Sequence, residues 1–215
     1  MKKWLFFLLV FFLLGGLSAQ GIFAAEPNLQ NQLFVANTEA LCTGYSNCFF
    51  NDSPDLPESN ALMKAIKYAR DNNLTDTFIN VLSPYEINSQ TIMVDYPITM
   101  IGKNGGWIST SNKVCDRPMF AITAQASIRD IYLNDGACNS PSRDLLVINS
   151  TSPVLIDHST FENGQTAISY HGSSGQLTLQ FNHINNNQFA INSTNTDPNG
   201  KLLVVANNIT SNGSP

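Results

Sequence analysis

Cysteines, histidines and a few acids and aromatics carry the chemistry open to this chain of 215 residues. Cys42, Cys48, Cys115 and Cys138 are even in number, and no Cys-x-x-Cys pair occurs among them. His158, His171 and His183 stand at no ligand spacing from any cysteine, so two disulfides are expected rather than a metal centre. Three pairings are open; Cys42–Cys48 with Cys115–Cys138 closes short loops and is the expected one. Asp157 and His158 are the candidate catalytic groups, and Asp157 is the candidate Ca²⁺ ligand. A single carboxylate does not satisfy an ion that takes six to eight oxygens, so tight Ca²⁺ binding is not expected and no other cofactor is implied. Trp107 and Tyr132 are aromatics of the kind that stack on sugar rings, with core packing as the plainer role. Asn73-Leu-Thr, Asn149-Ser-Thr, Asn192-Ser-Thr and Asn208-Ile-Thr spell glycosylation sequons, a spelling that a chain rich in Asn, Ser and Thr generates by chance.

The N-terminus bears on where such chemistry would operate. Lys2 and Lys3 form a positive start, Trp4 to Leu14 is an unbroken apolar run, and small residues follow at Gly15, Gly16, Ser18, Ala19, Ala24 and Ala25. That layout predicts a secretory signal over residues 1–25, and hence a secreted or cell-surface protein with no membrane segment once the signal is cleaved. An uncleaved anchor over Trp4 to Ala25 is the alternative, because roughly 20 apolar residues can span a bilayer. Without residues 1–25, nine Lys and Arg face sixteen Asp and Glu, a net charge of −7. Nucleic acid is thereby excluded as a partner: its binders need a cationic stripe, and after Arg143 only Lys201 remains. An acidic surface rich in Asn, Ser and Thr suits a polysaccharide or cell-surface glycan better.

What would position these groups is a repeat. The segments Ala126 to Gly136, Val154 to Gly164, Leu177 to Asn187 and Leu202 to Asn212 line up, with Ile128, Ile156, Leu179 and Val204 recurring at steps of 28, 23 and 25. Leu133, Phe161, Ile184 and Ile209 follow five residues later at the same steps. Ahead of each lies a short alternating strand: Phe120 to Ile122, Leu146 to Ile148, Thr166 to Ile168 and Phe189 to Ile191. Apolar pairs two apart, ended by Asn, Gly, Ser or Asp, exclude helical repeats and predict several short strands per turn. The fold class is therefore all-β, a right-handed parallel β-helix of about five coils in which matching aliphatics stack about 4.8 Å apart. Asn134, Asn163 and Asn186 fall at or beside the turns, where Asn tolerates left-handed backbone and its amide bonds backbone or a stacked neighbour.

Residues 26–57 read as a lead-in carrying Cys42 and Cys48, and 58–215 as the β-helix. Its first coil is expected over 78–108, with strands at 78–81, 92–94 and 98–101, and a turn at Gly102 to Gly106. Glu58 to Asn72 predicts an N-terminal capping helix with Leu62, Ile66 and Ala69 on one side, begun by Ser59 or Asp55 and ended by Asn72 and Asn73. The run ends on a strand at the other end, so further C-terminal coils or domains are expected in the natural protein.

The order of features over 56–213 resembles the pectin-lyase-like superfamily of right-handed β-helix proteins: a capping helix, then Tyr85-Glu-Ile, then Ile98-Thr-Met-Ile-Gly102, then coils ending in Asn-Asn or Asn-Gly. Val154-Leu-Ile-Asp-His158 is similar to the segment of pectate lyases whose Asp helps bind the calcium bridging enzyme and uronate, with Leu155 in place of that family's Trp. The resemblance implies proton abstraction beside a Ca²⁺-neutralised carboxylate, with a downstream Arg as base and Asp ligands on the next coil. Here the next coil, Asn163 to Ser169, has no Asp, and no Arg follows Arg143. Asn195-Thr-Asp197 is similar to a polygalacturonase segment, yet no paired acids follow it, and Pro198 and Gly200 make it read as a turn. The leading expectation is a non-catalytic scaffold or carbohydrate-recognition module; the alternative is a polysaccharide lyase or glycoside hydrolase with part of its site outside this chain.

Overall fold

The structure, a computed structural model, describes residues 31–52, 60–87, 90–110, 115–136, 143–171 and 174–213. The signal expected over residues 1–25, the caps Ser59 and Asp55, and Cys138 lie outside them.

The alternating segments form strands because every second side chain is aliphatic or aromatic, and left-handed residues such as Asp130, His158, Asn163, Phe181 and Asn186 stop several of the runs. Three strands make one coil. Coil 1 holds β3 (Phe78–Leu82), β4 (Tyr85–Ile87) and β5 (Ile92–Val94), and coil 2 holds β6 (Ile98–Lys103), β7 (Trp107–Thr110) and β8 (Phe120–Ile122). Coil 3 has β9 (Ala126–Arg129), β10 (Tyr132–Asn134) and β11 (Leu146–Ile148); coil 4 has β12 (Val154–Asp157), β13 (Thr160–Glu162) and β14 (Thr166–Tyr170). Coil 5 has β15 (Gln176–Gln180), β16 (His183–Asn185) and β17 (Phe189–Ser193), and β18 (Lys201–Val205) with β19 (Asn208–Thr210) begins a sixth. Each strand pairs in parallel with its counterparts one coil away, giving three sheets: A from the first strand of every coil, B from the second and C from the third. This is the expected all-β parallel solenoid.

The register matches the repeat. Met100, Ile128, Ile156, Leu179 and Val204 form one inward file in sheet A, and Ile108, Leu133, Phe161, Ile184 and Ile209 form another in sheet B. Ile128, Ile156, Leu179, Leu133, Phe161 and Ile184 are all buried.

Two sequence expectations need correction. The strand at Ile98 opens coil 2, pairing with β3 and β9, while Tyr85–Ile87 is the middle strand of coil 1. The helix, α1, runs Ala61–Asp71 and is capped by Asn60, whose side chain accepts from the amides of Leu62 and Met63 at 3.0 and 3.3 Å. Its buried face is Ala61, Leu62, Ala65, Ile66 and Ala69, and it lies against β5 and two earlier strands, β1 (Gln32–Ala36) and β2 (Cys48–Phe50). Those two strands, from the segment read as a lead-in, add to the coil 1 edge of sheet A, so the helix packs on a sheet already extended beyond coil 1. The Tyr85 hydroxyl ties this end together: it donates to Asn60 Oδ1 at 2.9 Å and accepts from Leu62 N at 3.1 Å, and burial pushes its pKa well above the ordinary tyrosine value. Among the described residues no helix is long and apolar enough to cross a membrane.

Candidate functional site

The outward side chains of sheet B form two files. One runs Trp107, Tyr132, Thr160, His183 and Asn208; beside it run Glu86, Ser109, Asn134, Glu162, Asn185 and Thr210. These positions face out because the residues between them, Ile108, Leu133, Phe161 and Ile184, face the core. Trp107 is 42% exposed. Its ring meets that of Tyr132 edge-on, with centroids 4.5 Å apart and planes at 85°. The aromatics offered by the sequence as either sugar platforms or core packing are thus neighbours on an outer face.

Polar groups fix that face. The Tyr132 hydroxyl donates to Glu162 Oε2 and accepts from Asn134 Nδ2 at 2.9 Å, and partial burial, then the bond to Glu162, raises its pKa above the ordinary tyrosine value. Asn185 Nδ2 reaches Glu162 Oε1 at 3.5 Å. Asn163 Nδ2 donates to Asn134 Oδ1 at 3.2 Å and Asn186 donates in turn to Asn163, so Asn163 and Asn186 stack at the left-handed corner while Asn134 joins them from one position earlier, at the end of β10. None of the residues in the two outward files is Lys or Arg. The result is an acidic strip with one exposed indole and fixed amide and hydroxyl groups, suited to stacking and hydrogen bonding along an extended polar ligand.

The corner from sheet A into sheet B holds the sequence candidates Asp157 and His158. Asp157 lies outward on β12 between Arg129 and Gln180, and its Oδ1 meets His158 Nδ1 at 2.7 Å. His158 has φ +47° and stacks on Phe181 at 5.0 Å between centroids. Phe181 is 52% exposed, and the sequence reading missed it because a Phe gives no turn signal. The two candidates are together, with no third metal-binding group: among the described residues no cluster of three His, Cys, Asp or Glu exists. Arg143 is held internally, its Nε and Nη2 on Asp135 Oδ1 at 2.8 and 2.5 Å.

Asp197 acts in its own loop: its carboxylate accepts from Asn199 N at 2.8 Å, and its amide donates to Asn195 Oδ1 at 2.9 Å. A groove of about 600 Å³ crosses the outside of sheet A over Thr99, Ser127, Leu155 and Thr178, walled by residues 74–77, Tyr96 and Pro97. No periodic signal could have shown this groove, since it depends on the loop after α1 folding beside the sheet. Cys42 and Cys48 are disulfide-bonded as expected, and Cys115 is also in a disulfide.

No family model, no curated protein and no solved structure matches the chain, and what the structure shows is a parallel β-solenoid architecture.

Proposed function

We propose that this chain works outside the cytoplasm as a rigid solenoid scaffold that recognises a surface glycan through the outer face of sheet B. The observation that carries the reading is the Trp107–Tyr132 pair, set outward on adjacent strands with the Tyr132 hydroxyl locked to Glu162. Aromatic rings supply contact area at small entropic cost when they are already fixed, and here the sheet fixes them. Kinship with the pectin-lyase-like superfamily and export by an N-terminal signal belong to the same proposal. A lyase mechanism draws less support: Asp157 meets an imidazole, not further carboxylates, and the last Arg of the chain is buried on Asp135.

Affinity electrophoresis through gels carrying soluble cellulose derivatives, chitosan, xylan or polygalacturonate tests the reading. The protein is expected to be retarded by at least one polysaccharide. Trp107→Ala is expected to abolish retardation without changing the urea midpoint by more than that of a surface substitution. Migration unaffected by every polysaccharide, or retardation unchanged in Trp107→Ala, would remove the proposal.

A further inference from the structure

The charge arrangement on this same face says more about the ligand, and the inference rests on the reading above. Glu162 is half-buried beside the aromatic pair, and its neighbours there are neutral: the Tyr132 hydroxyl on one oxygen and the Asn185 amide on the other. It takes part in none of the ion pairs formed among the described residues. A carboxylate has about four acceptor positions, and these two donors occupy two of them. Glu162 is thereby oriented while its charge goes uncompensated, and Glu86 adds a second negative charge to the same file. Two coils away on the same face, across Tyr132, stands the exposed Trp107, and an indole face attracts cations more strongly than other aromatic side chains do.

We infer that the sheet B face selects a glycan carrying protonated amino groups, an amino-sugar polymer, with an ammonium seated between the Glu162 carboxylate and the Trp107–Tyr132 rings. A polyuronate would bring its carboxylates against Glu162 and Glu86, and among the described residues of the two files no Lys or Arg stands to receive them. A neutral glycan would leave the Glu162 charge unmatched. The fixed geometry of Glu162 is what favours an amine over other cations carried on flexible chains: the charge stands one coil from the Tyr132 ring, so charge and stacking are read together.

Trp107 is one of two tryptophans, so in the full chain carrying Trp4→Phe it is the sole fluorescent indole and reports binding directly. The probes are oligomers of glucosamine, N-acetylglucosamine and galacturonate of equal length, and an oligolysine. Glucosamine oligomers are expected to bind most tightly and to weaken as salt is raised. Glu162→Gln keeps the shape and is expected to lower their affinity about five-fold without lowering that of the N-acetylated oligomers, which no longer meet an unmatched charge. If the N-acetylated oligomers bind but Glu162→Gln changes nothing for glucosamine, or galacturonate binds as well as glucosamine, the amine inference is overturned and glycan recognition stands. Oligolysine binding as tightly as glucosamine would overturn it too, in favour of a face that reads charge alone. If none of these saccharides alters the Trp107 signal, the amine inference is overturned, and the proposed function falls with it only if the cellulose derivatives and xylan also fail to retard the protein.

Discussion

Phe181 occupies a backbone conformation that its side chain does not favour. It has φ +54°, and the matching corner residues Asp130, His158 and Ala206 have φ +54°, +47° and +52°. The left-handed region costs an L-residue roughly 1–2 kcal/mol unless it is Gly or a short polar residue such as Asn or Asp. Asp130 fits that rule, whereas an exposed Phe does not. Its stacking on His158 returns only about 0.5–1.5 kcal/mol. Phe181→Asn is therefore expected to leave stability unchanged or raise it by up to about 1 kcal/mol in urea melts. A loss above about 2 kcal/mol would show that the ring is a structural support. This corner carries no sequence signal: turns are marked by Asn, Gly, Ser or Asp, and it is made by His and Phe. Asp157 and His158 were found, but as a pair detached from any further acid.

At the scale of elements, the corners are held by amides. Asn182 is buried beneath the corner that Phe181 makes, where its Oδ1 accepts from Ser159 N at 2.9 Å and its Nδ2 donates to Ile156 O at 2.9 Å. Asn207 repeats this one coil on, accepting from Asn182 N at 2.9 Å and donating to Leu179 O at 2.8 Å. Asn187 and Asn212 form the same device at the corner from sheet B into sheet C. Asn182→Ala strands a buried amide and a buried carbonyl, so a loss of about 3 kcal/mol is expected. Asn186→Ala, in the exposed file with Asn163, should cost under about 1 kcal/mol. Urea midpoints of the two variants make the comparison, and equal losses would contradict it. The exposed file was legible because Asn134, Asn163 and Asn186 share a residue type. The buried one was not, because its column reads Ile131, Ser159, Asn182 and Asn207. Coil boundaries were misread at Ile98 for a related reason: connections between successive strands vary too much in length to count by. The link from β16 to β17 is residues 186–188, while that from β10 to β11 is 135–145.

The molecule as a whole is a stack in which each coil is buried mainly against the next, so register is its governing quantity. Inward files were legible because their aliphatics recur with both a period of two and a period of one coil. The outward strip was legible only as single residues. Trp107 and Tyr132 stand 25 apart in sequence, and only the pairing of β7 with β10 makes them one surface. The groove on sheet A and the neutral surroundings of Glu162 are likewise properties of the assembled stack. A one-residue slip would exchange inward and outward sets at once, and the strand pair around Ile156 tests this most directly. Ile156 is fully buried between Ile128 and Leu179, while Asp157 beside it faces outward. Ile156→Asp places an unpaired carboxylate in the stack and should cost several kcal/mol, enough to unfold much of the chain. Asp157→Ser removes an outer contact to His158 and should cost under about 1 kcal/mol. Denaturant melts of the two variants are the measurement: a severe loss for Ile156→Asp with a near-neutral Asp157→Ser supports the register. If Asp157→Ser were the more damaging, the inward and outward sets would be exchanged, the strip bearing Trp107, Tyr132 and Glu162 would belong to the core, and recognition by that face would be refuted.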